Sequence, residues 1–277
     1  MAIGARPERP REAAGLDRHD RATVLTYGAL IVAAAAAWVH VVWSAANMVD
    51  MGDMIMPMAP SLSEGLVFVA AWTIMMAAMM LPSASAMIAL YAATQRNVRR
   101  PVPRTTAVVP RTTAVTAFTL VYVALWAATG IPIYFASQAL GAMTPGARAY
   151  AVALVCVVAG LFQLSPLKRV CLKQCRTPVG FLLGHWRPGL AGSLTMGASH
   201  AAYCVGCCWA LMVLLVAAGA MGLAWVLLIS VAVAAEKLLA RGERVAWAIG
   251  VALVLIGLAV AVRPSLATLL KAPVALA

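Results

Sequence analysis

Seven apolar runs, each about as long as a bilayer is thick, constrain the fold of this 277-residue chain more than any other feature. A helix needs about 20 apolar residues to cross the roughly 30 Å hydrocarbon core of a membrane. Runs of this kind occupy residues 24–46, 65–94, 113–139, 147–166, 190–218, 222–240 and 244–262. The composition agrees, because 64% of the residues are hydrophobic and only 11% are charged. The sequence therefore predicts an all-α, polytopic transmembrane helix bundle of about seven spans.

The lysines and arginines between the runs predict the orientation of the bundle, because cytoplasmic connections carry an excess of these residues. The tail 1–23 holds five of them, and the connections 95–112 and 167–188 hold five each, whereas 47–64, 140–147 and 219–222 hold none. We therefore expect a basic cytoplasmic tail (1–23), a transmembrane domain (24–262) and a periplasmic C-terminal tail (263–277), inserted in a bacterial inner membrane. The net charge of +12 is expected to face anionic lipid headgroups rather than nucleic acid.

The run 190–218 carries the densest set of potential metal ligands, within "GASHAAYCVGCCWALM". On a helix that advances about 100° per residue, Met196, His200, Cys204 and Cys207 fall within an arc of about 80°, and Cys208 lies beside them. This face forms either a ladder of two adjacent sites or one site completed by another helix. A single cysteine is often buried for packing alone, but three with a histidine inside a membrane helix indicate metal binding or redox chemistry.

Methionines of the run 65–94 form a second candidate ligand set, within "TIMMAAMMLPSASAM". Met76, Met79 and Met80 share a face, and at 1.5 Å per residue Met79 and Cys204 each lie about 22 Å from a helix end. Both sets are therefore expected near the bilayer midplane, although methionine stripes also serve as packing filler. Thiolate with thioether selects a soft ion, so Cu(I) is the first candidate. Zinc favours Cys and His without Met, and iron–sulfur clusters usually take four cysteines.

A cytoplasmic connection adds a Cys-x-x-x-Cys pair in "SPLKRVCLKQCR". Cys171 and Cys175 are one helical turn apart among four cations, which are expected to lower the pKa values of the thiols. The pair is a candidate inner metal site, and an amphipathic interfacial helix with incidental thiols is the alternative. Glu236 and Lys237, at the end of a later run, are expected to pair with each other or with a helix end, unless the carboxylate carries protons.

The connection 47–64 is a candidate for outer copper capture. Its methionines lie among aspartates, and thioethers remain ligands in an oxidising periplasm where thiols are lost to disulfides. A loop resting on the membrane surface is the alternative interpretation. The candidate ligands are Met51, Met54, Met56 and Met58.

These motifs together resemble a bacterial family of predicted metal-binding integral membrane proteins, otherwise a domain of unknown function. The resemblance extends from about Glu64 to Val262 and rests on "WTIMMAAMMLPS", "CLKQCRTPVGFLLGHWRPG", "GASHAAYCVGCCWALM" and "EKL". The family has a methionine pair before Leu-Pro, a Cys-x-x-x-Cys, and a histidine followed by Cys-x-x-Cys-Cys-Trp. Ala201 stands where a glycine often follows the histidine. The resemblance implies metal binding at Met79, Met80, Cys171, Cys175, His200, Cys204, Cys207 and Cys208.

The sequence favours a protein that handles Cu(I) by transport, delivery or storage, with a periplasmic metallochaperone or a membrane enzyme as a possible partner. It contains no phosphate-binding loop and no connection large enough for an ATPase domain. A membrane thiol oxidoreductase coupled to quinone through Cys204 and Cys207 is the alternative, and a structural subunit of a membrane complex is a third. No complete catalytic constellation is recognisable, so enzymatic activity is left open.

Overall fold

A computed structural model describes residues 11–49, 61–95, 109–217 and 223–267. The regular structure in these ranges is entirely helical, which confirms the predicted fold class. The helices are α1 (Arg11–Val49), α2 (Leu62–Thr94), α3 (Arg111–Ala142), α4 (Pro145–Leu164), α5 (Pro166–Arg176), α6 (Pro178–His185), α7 (Gly189–Ala217), α8 (Leu223–Leu238) and α9 (Gly242–Val262).

Six of the described helices are long and apolar enough to cross a membrane, namely α1 (over Val24–Ala46), α2, α3, α4, α7 and α9. Each coincides with a run predicted from the sequence. The remaining predicted run, 222–240, corresponds to α8, which has 16 described residues. At 1.5 Å per residue α8 is about 24 Å long, less than the roughly 30 Å thickness of the hydrocarbon core. Within the described residues, the seven expected spans therefore correspond to six full-length helices and the shorter α8.

Local sequence explains where several helices begin. Ser61 and Glu64 form a capping box, in which each side chain accepts a hydrogen bond from the other residue's backbone N–H at the start of α2. Thr144 and Ser165 cap α4 and α5 with their side-chain oxygens, and a proline follows each cap at the first helical position. These caps keep the α3–α4 and α4–α5 connections short, and only Ser165 separates the end of α4 from the start of α5.

α7 is the central helix, with 67% of its most apolar stretch buried inside the protein. It packs against α3, α4, α5 and α8. The approach to α3 is close at Gly197, where a Cβ atom would lie 2.6 Å from the Phe118 carbonyl oxygen. The backbone of α2 stays further from α7, and long side chains occupy the space between them. This space contains the candidate site.

Candidate metal site

The C-terminal end of α8 places a lysine between α2 and α7. The Lys237 Nζ donates hydrogen bonds to Cys204 Sγ at 3.1 Å and to Ser83 Oγ at 3.2 Å, and it lies 3.8 Å from Met80 Sδ. Lys237 is only 8% exposed, and a buried ammonium group is costly unless it has charged or polar partners. Two candidate ligands from different helices, Met80 and Cys204, therefore meet around one positive charge.

Tyr122 of α3 covers another side of the Cys204 sulfur. Its hydroxyl lies 3.1 Å from Cys204 Sγ, and both residues are buried. A sulfur with an ammonium group and a hydroxyl at hydrogen-bonding distance has the surroundings that favour a thiolate or a metal-bound thiolate.

Three further thiols adjoin Cys204. Cys207 Sγ lies 3.3 Å from Cys208 Sγ and 3.7 Å from Cys175 Sγ, and it donates to the Cys204 carbonyl oxygen at 3.2 Å. Two sulfurs that bind one ion at about 2.3 Å can be at most about 4.6 Å apart, so both pairs are within reach of a shared ion. All four cysteines are free thiols. We refer to Cys175, Cys204, Cys207, Cys208 and Met80 as the sulfur cluster.

The expected inner pair of cysteines is divided by this arrangement. Cys175 joins the sulfur cluster, whereas Cys171 lies against Gly206 of α7, where a Cβ atom would be only 3.0 Å from its sulfur. Burial raises the pKa of Cys171, and hydrogen bonding with Cys204, followed by burial, raises the pKa of Cys175 well above its usual value. The expectation that neighbouring cations lower these pKa values is wrong, because both thiols face α7 while Arg169 and Lys173 are exposed.

A buried ion pair holds α5 beside the sulfur cluster. Glu236 accepts hydrogen bonds from Lys168 Nζ at 2.6 Å and from Gln163 Nε2 at 2.8 Å, and Glu236 and Lys168 are each 1% exposed. Glu236 and Lys237 do not pair with each other, which was one of the alternatives expected from the sequence. Arg176 adds hydrogen bonds to the carbonyl oxygens at the end of α8. These contacts fix the helix that carries Cys175.

His200 lies among aromatic rings, one turn before Cys204. Its ring centroid is 5.6 Å from that of Tyr122, 6.0 Å from Phe118 and 5.4 Å from Phe181. Its Nδ1 atom is buried without a hydrogen-bond partner. Buried polar atoms nearly always have partners, so this nitrogen is available as a ligand.

The remaining candidates lie outside these contacts. Met76 and Met79 are buried in the same core, and Cys156 is a buried core residue of α4. The proposed outer capture residues, Met51, Met54, Met56 and Met58, lie outside the described residues.

The donor set fits a soft ion, although the cluster is not closed around one. Among the described residues, no three His, Cys, Asp or Glu side chains already stand in an arrangement that holds a metal. Lys237 Nζ lies between two sulfurs of the cluster, 3.1 Å from Cys204 Sγ and 3.8 Å from Met80 Sδ. Thiols, a thioether and an unpartnered imidazole nitrogen bind Cu(I) in preference to hard cations.

The model of the protein family PpoB2, described as "Copper chaperone", matches residues 69–260, more than half of the chain. The chain belongs to this copper-chaperone family. The match includes every residue of the sulfur cluster and agrees with the copper expected from the donor set. No curated protein and no solved structure matches the chain.

Three residues of the site were not assigned to it from the sequence. The sequence indicates that Lys237 is a charge at a helix end and that Lys168 is one of several cations near the thiols. It does not mark Tyr122 as part of the site. The only signal for Tyr122 was general, since a buried tyrosine hydroxyl usually has a hydrogen-bond partner. For Lys237 the signal was its place inside an apolar run.

Proposed function

We propose that this protein binds Cu(I) in the sulfur cluster and delivers it to a partner. The observation that carries the proposal is the contact of 3.1 Å between Lys237 Nζ and Cys204 Sγ, formed in the protein interior beside three more thiols. The copper is cargo in this proposal, and the protein's residues bind it, balance its charge and exchange it.

Charge balance explains why a lysine stands at a copper site. A Cu(I) ion held by two thiolates carries one net negative charge, which is costly in a low-dielectric interior. The Lys237 ammonium offsets that charge without being a ligand. Ser83, which accepts a hydrogen bond from the same ammonium, keeps it in position when Cys204 turns towards the metal.

The arrangement of the cluster supports delivery more than storage. The cluster contains few sulfur atoms. They belong to helices of different length, because α2 and α7 are long whereas α5 has 11 residues. Cys175 is the cluster thiol carried by this short helix, and it lies within the basic connection 167–188. In the proposed orientation this connection faces the cytoplasm, so Cys175 is the ligand best placed to pass copper across that boundary.

Anaerobic titration with Cu(I), in competition with a chromophoric chelator, tests the proposal on the full chain in lipid nanodiscs. We expect stoichiometric binding that zinc does not displace, since the donors are soft. Substituting a residue that only hydrogen-bonds a metal ligand typically costs about 10–100-fold in affinity, so Cys204→Ser should weaken binding by at least that much. Cys156→Ser is the matched control, because Cys156 is also buried in a long helix but lies outside the cluster.

Two outcomes would contradict the proposal. One is equal copper affinity in the wild type and Cys204→Ser. The other is a wild-type protein that holds no copper but forms a reversible Cys204–Cys207 disulfide in response to quinone, which would indicate the thiol oxidoreductase instead.

A further inference from the structure

A cavity of about 410 Å³ lies between α6 and the first half of α7, outside the sulfur cluster. His185, Arg187, Thr195, Met196 and Ser199 are among its lining residues. Its volume falls within the roughly 300–1,000 Å³ of small-molecule sites and is far larger than a single metal ion needs. The cavity is therefore suited to a small molecule that carries a metal.

Met196 connects the cavity to the sulfur cluster along one face of α7. Met196, His200 and Cys204 follow one another at four-residue intervals, and all three are buried. Residues four apart on a helix are neighbours, about 6 Å apart along the axis. Three possible ligands of Cu(I) are therefore spaced at one-turn intervals over the roughly 12 Å from Met196, at the cavity, to Cys204.

Phe181 lies between His185, which lines the cavity, and His200, which lies one turn before Cys204. Its ring stacks on His185 with centroids 4.4 Å apart and meets the His200 ring at 5.4 Å in an edge-on arrangement. The Phe181 carbonyl oxygen lies 3.1 Å from His185 Nδ1. Because a carbonyl only accepts hydrogen bonds, this contact favours the tautomer with the proton on Nδ1, in which Nε2 has the lone pair that binds a metal.

We propose that this cavity is the port at which the sulfur cluster exchanges Cu(I) with a small anionic thiol that carries the ion. Thiolates are ligands that hold Cu(I) in solution, and the positive charge of Arg187 favours an anionic complex over a bare cation. The proposal rests on the proposed function, because it supplies the route to the same cluster.

The transfer is a ligand exchange without a change of oxidation state. The copper–sulfur bond of the carrier breaks as bonds form to Met196 Sδ and His185 Nε2, and the carrier leaves as its thiolate. The ion then passes to His200 and to the Cys204 thiolate, while Phe181 turns aside. No electron is transferred in any of these steps.

The rate of copper loading from its glutathione complex, followed by stopped flow, tests the port. Met196→Leu conserves volume and apolarity, so the fold should survive, and we expect loading to slow about tenfold, equivalent to about 1.4 kcal/mol of barrier. Its equilibrium affinity for Cu(I) should remain that of the wild type, because the sulfur cluster is unchanged. His185→Phe keeps the ring stacked on Phe181 and should slow loading similarly.

Met212→Leu is the matched control. Met212 is a buried methionine of α7 that follows Cys204 at the same distance along the chain at which Met196 precedes it. We expect it to load at the wild-type rate. If Met196→Leu and His185→Phe also load at that rate, the port is overturned while the proposed function stands. A wild type that binds no Cu(I) would remove both.

The charge of the carrier is tested by a second comparison. Arg187→Gln should slow loading from the anionic glutathione complex but not from the complex with cysteamine, a cationic thiol. Equal rates for the two carriers in the wild type, unchanged in Arg187→Gln, would overturn the assignment of an anionic carrier.

Discussion

Two helix interfaces of this protein are built in opposite ways. α4 and α9 approach so closely that a Cβ atom on Gly160 would lie 2.6 Å from the Gly250 carbonyl oxygen, and one on Gly257 would lie 2.8 Å from that of Ala153. α2 and α7 remain further apart, and Met80, Cys204 and the inserted Lys237 fill the space between them.

The difference separates a closely packed scaffold from the region that contains the proposed copper site. Small residues that allow backbones to touch gain van der Waals contact and leave no room for a ligand. Wider spacing admits long polar and sulfur-containing side chains, but each must find a partner because water is excluded. Substitutions should therefore affect mainly stability at the α4–α9 interface, and mainly copper binding at the sulfur cluster.

The largest effect on stability is expected at Glu236. It connects the α4–α9 scaffold, through Gln163 of α4, with the helix that carries Cys175, through Lys168 of α5. Glu236→Gln leaves the Lys168 ammonium buried without a counter-charge, a loss of about 3–5 kcal/mol in the free energy of unfolding. Thermal unfolding of the purified protein, followed by circular dichroism, measures it. Glu243→Gln is the control, because Glu243 is exposed in the first turn of α9. Equal stability of the two variants would contradict the role of the ion pair.

A smaller loss of stability is expected at the α4–α9 interface. Gly160→Ala forces the two backbones apart, which should cost about 1–3 kcal/mol and leave the affinity for Cu(I) unchanged. Gly28→Ala of α1 is the matched control, since nothing lies within 4 Å of the added carbon, and alanine favours a helix more than glycine does. Unfolding midpoints and copper titrations of both variants test this prediction. A weakened copper affinity in Gly160→Ala would show that scaffold and site are not separable.

The smallest effect on stability is expected at Tyr122, beside the sulfur cluster. Tyr122→Phe removes one hydrogen bond to Cys204 and should change the free energy of unfolding by only about 1 kcal/mol. It should nevertheless weaken Cu(I) binding several-fold, because the hydroxyl stabilises charge on the ligand sulfur. Tyr150→Phe, at an exposed tyrosine of α4, should change neither quantity. An unaltered copper affinity in Tyr122→Phe would remove the hydroxyl from the site.

The sequence predicted the helices well because their lengths follow from the thickness of the membrane. Every predicted run contains a helix, and the described part of α8 is the one that is shorter than a full span. That Met80 and Cys204 lie at a similar level was also predictable, since a constant rise per residue places the middles of two long helices side by side. Their position at the bilayer midplane stays a prediction.

The completion of the site was not predictable in the same way. Cys175 reaches Cys207 only because Lys168 and Glu236, 68 residues apart in the chain, fix the position of α5. Periodicity describes one helix at a time and contains no information about such distant pairs. Lys237 illustrates the same limit. A lysine at the end of an apolar run either extends to the membrane surface or turns inward. Here the positions of Ser83 and Cys204 decide that it turns inward.

The ion pair between α5 and α8 also determines when the site can form during membrane insertion. Lys168 is synthesised well before Glu236, so its ammonium must remain in water or among headgroups until α8 has entered the membrane. The same turn of α8 delivers Lys237 to Cys204, so one late event buries α5 and supplies the counter-charge of the cluster. A chain that ends before α8 therefore already contains every residue of the sulfur cluster but lacks the buried positive charge that Lys237 places beside Cys204.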